Sequence, residues 1–232
     1  VKQFRLGFGW TRAMTGLSVA CVVVYALELL AWHTSVAGSP LRLLLEHAQL
    51  NPVAALLRLE VWQFVTYLFL HDPRDPLHIL FNLLVLYSFG GLFERRWGSR
   101  DFLRFVLLAG AGAGLVGALA GLLVPSLFGG DIVGISGALA ALIMAFALVF
   151  PEQRVQVWFV ASVPARQLVW ALAAIDLIFF LTGARIAIAV HAGGYLMGWL
   201  LVTGSWRPSR LRALFRRGPR ARKAGRFKVY EN

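Results

Sequence analysis

The sequence predicts an all-α membrane protein, a bundle of six transmembrane helices with both termini on the cytoplasmic side. Three observations carry this. Of the 232 residues, 59% are hydrophobic and only 15% charged, with a mean hydropathy of +0.69. Soluble domains carry about 25% charged residues, so too few polar groups remain here to coat a water-facing surface, and the aliphatic and aromatic content excludes a disordered chain. Next, six segments approach the roughly 20 apolar residues that a spanning helix needs. Finally, Lys and Arg are divided unequally between alternate connections, which sets orientation.

The expected spans are Ala13–Trp32, Leu77–Glu94, Phe102–Val124, Ser136–Phe150, Leu168–Leu181 and Ile186–Gly204. The fourth and fifth are short and are expected to lean on neighbours or on a thinned bilayer. No small-residue cleavage site follows the first, which therefore reads as a retained anchor. Val1 is not methionine, so the native start of the chain is left open. With a cytoplasmic N-terminus, the inner connections hold nineteen Lys and Arg: Lys2, Arg5, Arg12, Arg95, Arg96, Arg100, Arg104, Arg154, Arg166 and ten beyond residue 206. The outer ones hold Arg42, Arg58, Arg74 and Arg185.

The formal net charge of +12 is concentrated at one end: residues 207–232 carry ten Lys and Arg against Glu231. The chain thus divides into a six-span body, residues 1–206, and a basic cytoplasmic tail, residues 207–232. The tail anchors topology and can touch anionic lipid headgroups. No base-reading motif accompanies Phe215 and Phe227 within it, so no nucleic-acid partner is expected. The single cysteine, Cys21, excludes an internal disulfide. No pattern in the chain speaks to oligomeric state.

The long outer connection, about residues 33–76, carries apolar residues at near-helical spacing over Leu41–Leu59, broken at Asn51-Pro52. That predicts one or two helices lying in the membrane interface. The segment Pro125–Val133 reads as a short Gly/Pro-rich loop.

Polar groups inside spans are costly and are functional candidates by default. Spans two, four and six all run from outside to inside in this orientation. His78 and Asn82 lie in the first turns of span two, Ser136 opens span four, and His191 lies in the first two turns of span six. Four polar side chains therefore share the outer ends of three parallel helices, within reach of water. Serine beside histidine supports acyl transfer. Ser136 sits in Gly134-Ile135-Ser136-Gly137 at a helix N-terminus, where N–H groups are unpaired and the dipole favours negative charge. His78 and Asn82, at i and i+4, share a helix face and offer N–H donors suited to a developing oxyanion.

These residues resemble the rhomboid intramembrane serine proteases over about Trp62 to Gly204. Four motifs agree in order: Gly134-x-Ser136-Gly137; His78-x-x-x-Asn82; Gly90, Glu94 and Gly98 at four-residue intervals; and His191, Gly194 and Gly198. The resemblance implies a Ser136–His191 dyad with no third acidic member. It also implies an oxyanion hole from the Ser136 N–H with the His78 and Asn82 side chains. Glu94 is implied as a structural carboxylate at the inner end of span two. Gly194 and Gly198 would let span six pack closely on span four. Two positions depart from the family. Ala140 stands where an aromatic residue commonly stacks on the catalytic histidine, a role left to Tyr195 or a nearby Phe, and Gln63 follows Trp62 where arginine is common.

The expected activity is that of a serine endopeptidase cleaving transmembrane segments of other membrane proteins near the outer face, without cofactor or metal. The cluster His71, Asp72, Asp75 and His78 is interrupted by Pro73 and Pro76, matches no zinc spacing, and reads as a polar turn with His71 near the site. The glycines of span three, Gly110, Gly112, Gly114, Gly117 and Gly121, read as a close-packing surface. Asp176 in span five and Glu28 in span one have no partner visible in the sequence. The alternatives are a catalytically inactive rhomboid-like protein that binds transmembrane helices, and a small transporter, for which Asp176 is the one hint. The Arg-over-Lys excess and short loops point to a bacterial inner membrane.

Overall fold

The computed structural model describes residues 9–33, 39–157, 161–182 and 185–206. The basic segment 207–232, together with Lys2 and Arg5, lies outside them. Helix α1 (Arg12–His33) is followed by two short helices, α2 (Pro40–Ala48) and α3 (Pro52–Leu57). Next come α4 (Gln63–Thr66), a 3-10 turn (Tyr67–Phe69) and the second long helix. That helix consists of α5 (Pro76–Val85), one π turn (Leu86–Gly90) and α6 (Gly91–Trp97). Helix α7 (Ser99–Leu123), the short α8 (Pro125–Phe128) and α9 (Ser136–Val149) follow. Two strands, β1 (Arg154–Val157) and β2 (Ala161–Pro164), then precede α10 (Ala165–Thr182) and α11 (Arg185–Thr203).

Among the described residues, Arg12–His33, Pro76–Trp97 and Ser99–Leu123 are long and apolar enough to cross a membrane, and Ser136–Val149 and Ala187–Thr203 are shorter apolar helices. The fifth helix is not the short one expected: it starts at Ala165 and runs 18 residues. Apolar side chains point outward from α1 (Val19, Val22, Val23), α5 (Leu77, Leu80, Leu84) and α10 (Trp170, Leu177, Ile178). Such surfaces suit a lipid solvent and make this an integral membrane protein.

Helices α2, α3 and α5 open in the same way. Ser39-Pro40, Asn51-Pro52 and Asp75-Pro76 each place a capping side chain before a proline at the first helical position. The cap oxygen takes an orphan N–H, and proline has none to lose. The antiparallel pair β1–β2, in register Arg154 with Pro164, was not expected from the sequence.

Helix α9 lies at the centre of the bundle. Gly137–Ile143 and Ala145–Ala147 are all buried, under α7, α10 and α11. Its 14 residues reach about 21 Å at 1.5 Å per residue, short of the roughly 30 Å hydrocarbon thickness. It can be this short because its neighbours, not lipid, surround it. The glycines of α7 give those neighbours room. A β-carbon at Gly112 would run into Met197, one at Gly117 into Val190, and one at Gly114 into Leu50 and Tyr67.

The corner between α6 and α7 is tied to α1 by Glu94. Its carboxylate accepts the Thr11 hydroxyl at 2.5 Å, the Ala13 and Met14 N–H groups at 2.8 Å each, and the Ser99 hydroxyl at 2.6 Å. One anion thereby caps α1 and bridges the α6–α7 corner, which turns at Gly98 with φ +81°. Gly90 packs where a β-carbon would meet Leu86, Met14 and Phe102 at 3.1–3.3 Å. Glu94→Gln keeps the shape but exchanges one acceptor oxygen for a donor amide facing N–H groups. The expected loss is about 2–3 kcal/mol, read as a lowered thermal midpoint in detergent.

Candidate functional site at the N-terminal end of α9

The chain enters α9 through a segment held by the connection between α1 and α5. Leu50 and Ile132 exchange backbone hydrogen bonds, the Gly134 N–H donates to Tyr67 O at 2.9 Å, and the Tyr67 hydroxyl donates to Gly110 O at 2.7 Å. Tyr67 and Leu50 are fully buried against Ala113, Ala118, Ile132 and Val190. Gly134 has φ +107°, a conformation that costs an L side chain dearly. A β-carbon there would also lie 2.8 Å from His78 Cε1 and Nε2, and 3.5 Å from Asn82 Nδ2. The His78 ring and Asn82 amide therefore stand over the backbone two residues ahead of Ser136. Ile135, at the N-cap of α9, supplies no side-chain hydrogen bond, so the first-turn N–H groups keep their donor capacity.

Helix α11 meets α9 backbone to backbone. A β-carbon on Gly194 would overlap the Gly137 carbonyl and reach Ala140 Cβ at 2.9 Å. One on Gly198 would come 2.5 Å from Ala141 O. Gly137 in turn faces Val190, the residue before His191. The His78 and His191 imidazoles lie within electrostatic range of each other. Ser136, His78, Asn82 and His191 are thus gathered at one end of the bundle. Ser136 and His191 are both partly exposed.

Two buried carboxylates with no visible partner in the sequence acquire partners here. Asp176 Oδ1 lies 2.7 Å from His191 Nδ1, and the Tyr195 hydroxyl donates to Asp176 Oδ2 at 3.1 Å. An acidic neighbour therefore stands beside the histidine that the resemblance leaves without one. On the other side, Glu28 accepts the His71 backbone N–H at 2.9 and 3.1 Å, and the Asn82 amide lies 3.0 Å from His71 Nε2. Burial, reinforced by neighbouring His78, pushes the His71 imidazole down to about 4. The ring is accordingly neutral at pH 7, and its Nε2 can accept the Asn82 N–H. His71 thus fixes the amide that the sequence pairs with His78.

The remaining outer-turn acids have local partners: Asp72 binds Arg74, and Asp75 caps α5. Gln63, which departs from the family pattern, is buried and donates to His47 O and Glu60, while its carbonyl accepts the Asn51 N–H. It knits α2, α3 and α4 together without a charge.

The sequence model of the family described as Rhomboid domain matches residues 58–208, well over half of the chain. The chain belongs to the rhomboid family. Curated relatives named Rhomboid protease GlpG include those of Yersinia pestis (strain Pestoides F), 30% identical over 146 residues, and Salmonella typhi, 32% identical over 99. The Yersinia match covers 62% of this chain and 48% of the relative, the Salmonella match 42% and 32%. The chain thus spans about a third to a half of the length of these relatives.

In this rhomboid chain two sequence signals pointed to the partners just described without pairing them. Asp176 is a carboxylate inside an apolar span, and Tyr195 lies one helical turn beyond His191, on its face. The position held by an aromatic residue in much of the family is Ala140, only 5% exposed, wedged beneath Gly194.

Two outcomes are expected. Gly134→Ala combines a positive φ with a clash against His78, so reaction with a fluorophosphonate probe should fall at least about tenfold while helical content is retained. Acidification should destabilise the fold through His71, whose neighbours are Glu28, Asn82, His78 and Asp72. Its folded value lies below the usual 6.5, so the unfolded chain binds the proton first. Stability is full above about pH 6.5 and is lost as pH falls towards 4, on the order of 3 kcal/mol. His71→Gln, which retains an acceptor for Asn82, should flatten that part of the pH dependence in thermal melts.

Proposed function

We propose that this chain is an intramembrane serine endopeptidase that cleaves transmembrane segments of other membrane proteins near the outer membrane face. In this reading the bundle has six spans and both termini in the cytoplasm of a bacterium, in the inner membrane, with residues 207–232 as a basic tail against anionic lipid. The observation that supports it is the close packing of α11 on α9 at Gly194, beside a partly exposed Ser136 and His191.

The Ser136 hydroxyl attacks a peptide carbonyl while His191 Nε2 takes its proton. The oxygen of the tetrahedral intermediate, now negative, is held by the Ser136 N–H, the His78 ring and the Asn82 amide. The C–N bond then breaks, and His191 returns the proton to the leaving amine. Water entering from the outer face repeats the sequence on the acyl-enzyme: His191 takes a water proton as hydroxide adds to the ester carbon, the C–O bond to Ser136 breaks, and the proton goes to the departing Oγ. Substrates are single-span proteins with small or helix-weakening residues near the cut, because a peptide bond inside a helix must unwind before its carbonyl can be attacked. The shortness of α9 supports a site recessed below the surface, where an unwound segment can reach it.

The test is cleavage of a model transmembrane substrate by the purified chain in detergent, together with fluorophosphonate labelling. The wild type should cleave and label. Ser136→Ala should do neither, and His191→Ala should lose at least about 100-fold. His78→Ala and Asn82→Ala should each cost about 10- to 1,000-fold in kcat with a smaller change in KM. A folded wild type that neither labels nor cleaves overturns the reading, and equal cleavage by Ser136→Ala overturns the site.

A further inference from the structure

We infer that Asp176 is a positioning residue for His191, so that this chain completes Ser136–His191 with an acidic third member braced by Tyr195. The inference rests on the proposed protease reading and deepens it.

The argument begins with cost. A carboxylate inside a membrane span is strongly disfavoured unless donors meet it. Asp176 sits on α10 with its side chain only 11% exposed, and both of its oxygens are met from α11. Oδ1 takes His191 Nδ1 at 2.7 Å, and Oδ2 takes the Tyr195 hydroxyl at 3.1 Å. His191 and Tyr195 are four residues apart on a helix, so they present one face to α10. The 2.7 Å separation is that of a charge-assisted hydrogen bond.

A carboxylate only accepts, so the bond fixes the proton on Nδ1 and leaves the Nε2 lone pair free. That is the tautomer a general base for Ser136 requires, and it is the service the acid performs in Ser-His-Asp hydrolases. When His191 takes the serine proton, the positive ring faces a negative partner already in contact; no proton passes to Asp176. Tyr195 occupies the second oxygen, which stops the carboxylate from rotating away. The same position explains how the ring is held without an aromatic residue at position 140. Ala140 is buried against Gly194, where a β-carbon built on the glycine would lie 2.9 Å from Ala140 Cβ. Orientation comes from the α10 side instead of from stacking on the α9 side.

The test uses the full chain in detergent. Asp176→Asn should lower kcat at least about tenfold with KM changed less than twofold, because the carboxamide can offer N–H₂ to Nδ1 and favour the wrong tautomer. Asp176→Glu should restore part of the rate, and Tyr195→Phe should cost a few-fold. Nitrogen-15 spectra of histidine-labelled protein give a readout independent of turnover, with the His191 signal identified by its loss in His191→Gln. The wild type should show Nδ1 protonated and Nε2 bare, and Asp176→Asn should shift that population. Wild-type kcat in a folded Asp176→Asn, or a His191 tautomer identical in both, overturns the inference. If the folded wild type neither labels nor cleaves, the protease reading falls, and the spectra still decide whether Asp176 sets the ring.

Discussion

The carbonyl oxygens of Gly137 and Ala141 on α9 face Gly194 and Gly198 on α11 at separations that leave no space for a β-carbon. Lipid tails are as apolar as leucine, so association of membrane helices relies on close packing of backbones more than on hydrophobic burial. Here that packing sets the position of His191, because Val190 is wedged against Gly137. The glycines of α7 extend the same logic: Gly112 and Gly117 receive Met197 and Val190 of α11. Gly193 lies against the Ala113 backbone in the same interface. The site geometry thus stands on a three-helix contact of backbones, with the outer connection clamped over it through Tyr67, Leu50 and Ile132.

Enclosure explains the length of α9 and the depth of its first residue. A helix facing lipid has to match the bilayer; one enclosed by neighbours does not. Polar side chains collect at the N-terminal end of α9, where hydrocarbon alone would disfavour them. Two networks brace them. Glu28 and His71 hold the Asn82 amide, and Asp176 and Tyr195 hold the His191 ring. Each network begins with a carboxylate from a helix that supplies none of the four residues at the mouth of α9. The strong preference of a membrane-buried carboxylate for a donor therefore becomes a device for orienting the residue next to it.

The regular elements were legible because the apolar stretches are long and their ends carry punctuation. Asn51-Pro52 marked a break in the apolar run, and in the structure it opens a helix as Ser39-Pro40 and Asp75-Pro76 do. Ser136, His78, Asn82 and His191 stood out as polar residues at helix starts on alternate spans. The strands at 154–157 and 161–164 were obscured because they lie between two apolar helices in a segment too short for a periodicity argument. Gln63 gave no sign of its three hydrogen bonds, since its partners His47, Asn51 and Glu60 come from different turns of an irregular segment.

What the sequence determined by itself is depth. Each residue advances a helix by a fixed rise, so the position of Asp176 along its span, and of Ser136 and His191 along theirs, follows from counting. Azimuth is a different quantity. Which way α10 turns Asp176 depends on how its surface fits α9 and α11, and that fit depends on glycines and small residues far away in sequence. Only the tertiary structure decided that Asp176 faces His191 and Tyr195 rather than lipid, and that Glu28 faces the backbone of His71. Rotation about a helix axis is a packing outcome of the whole bundle, which no local pattern encodes.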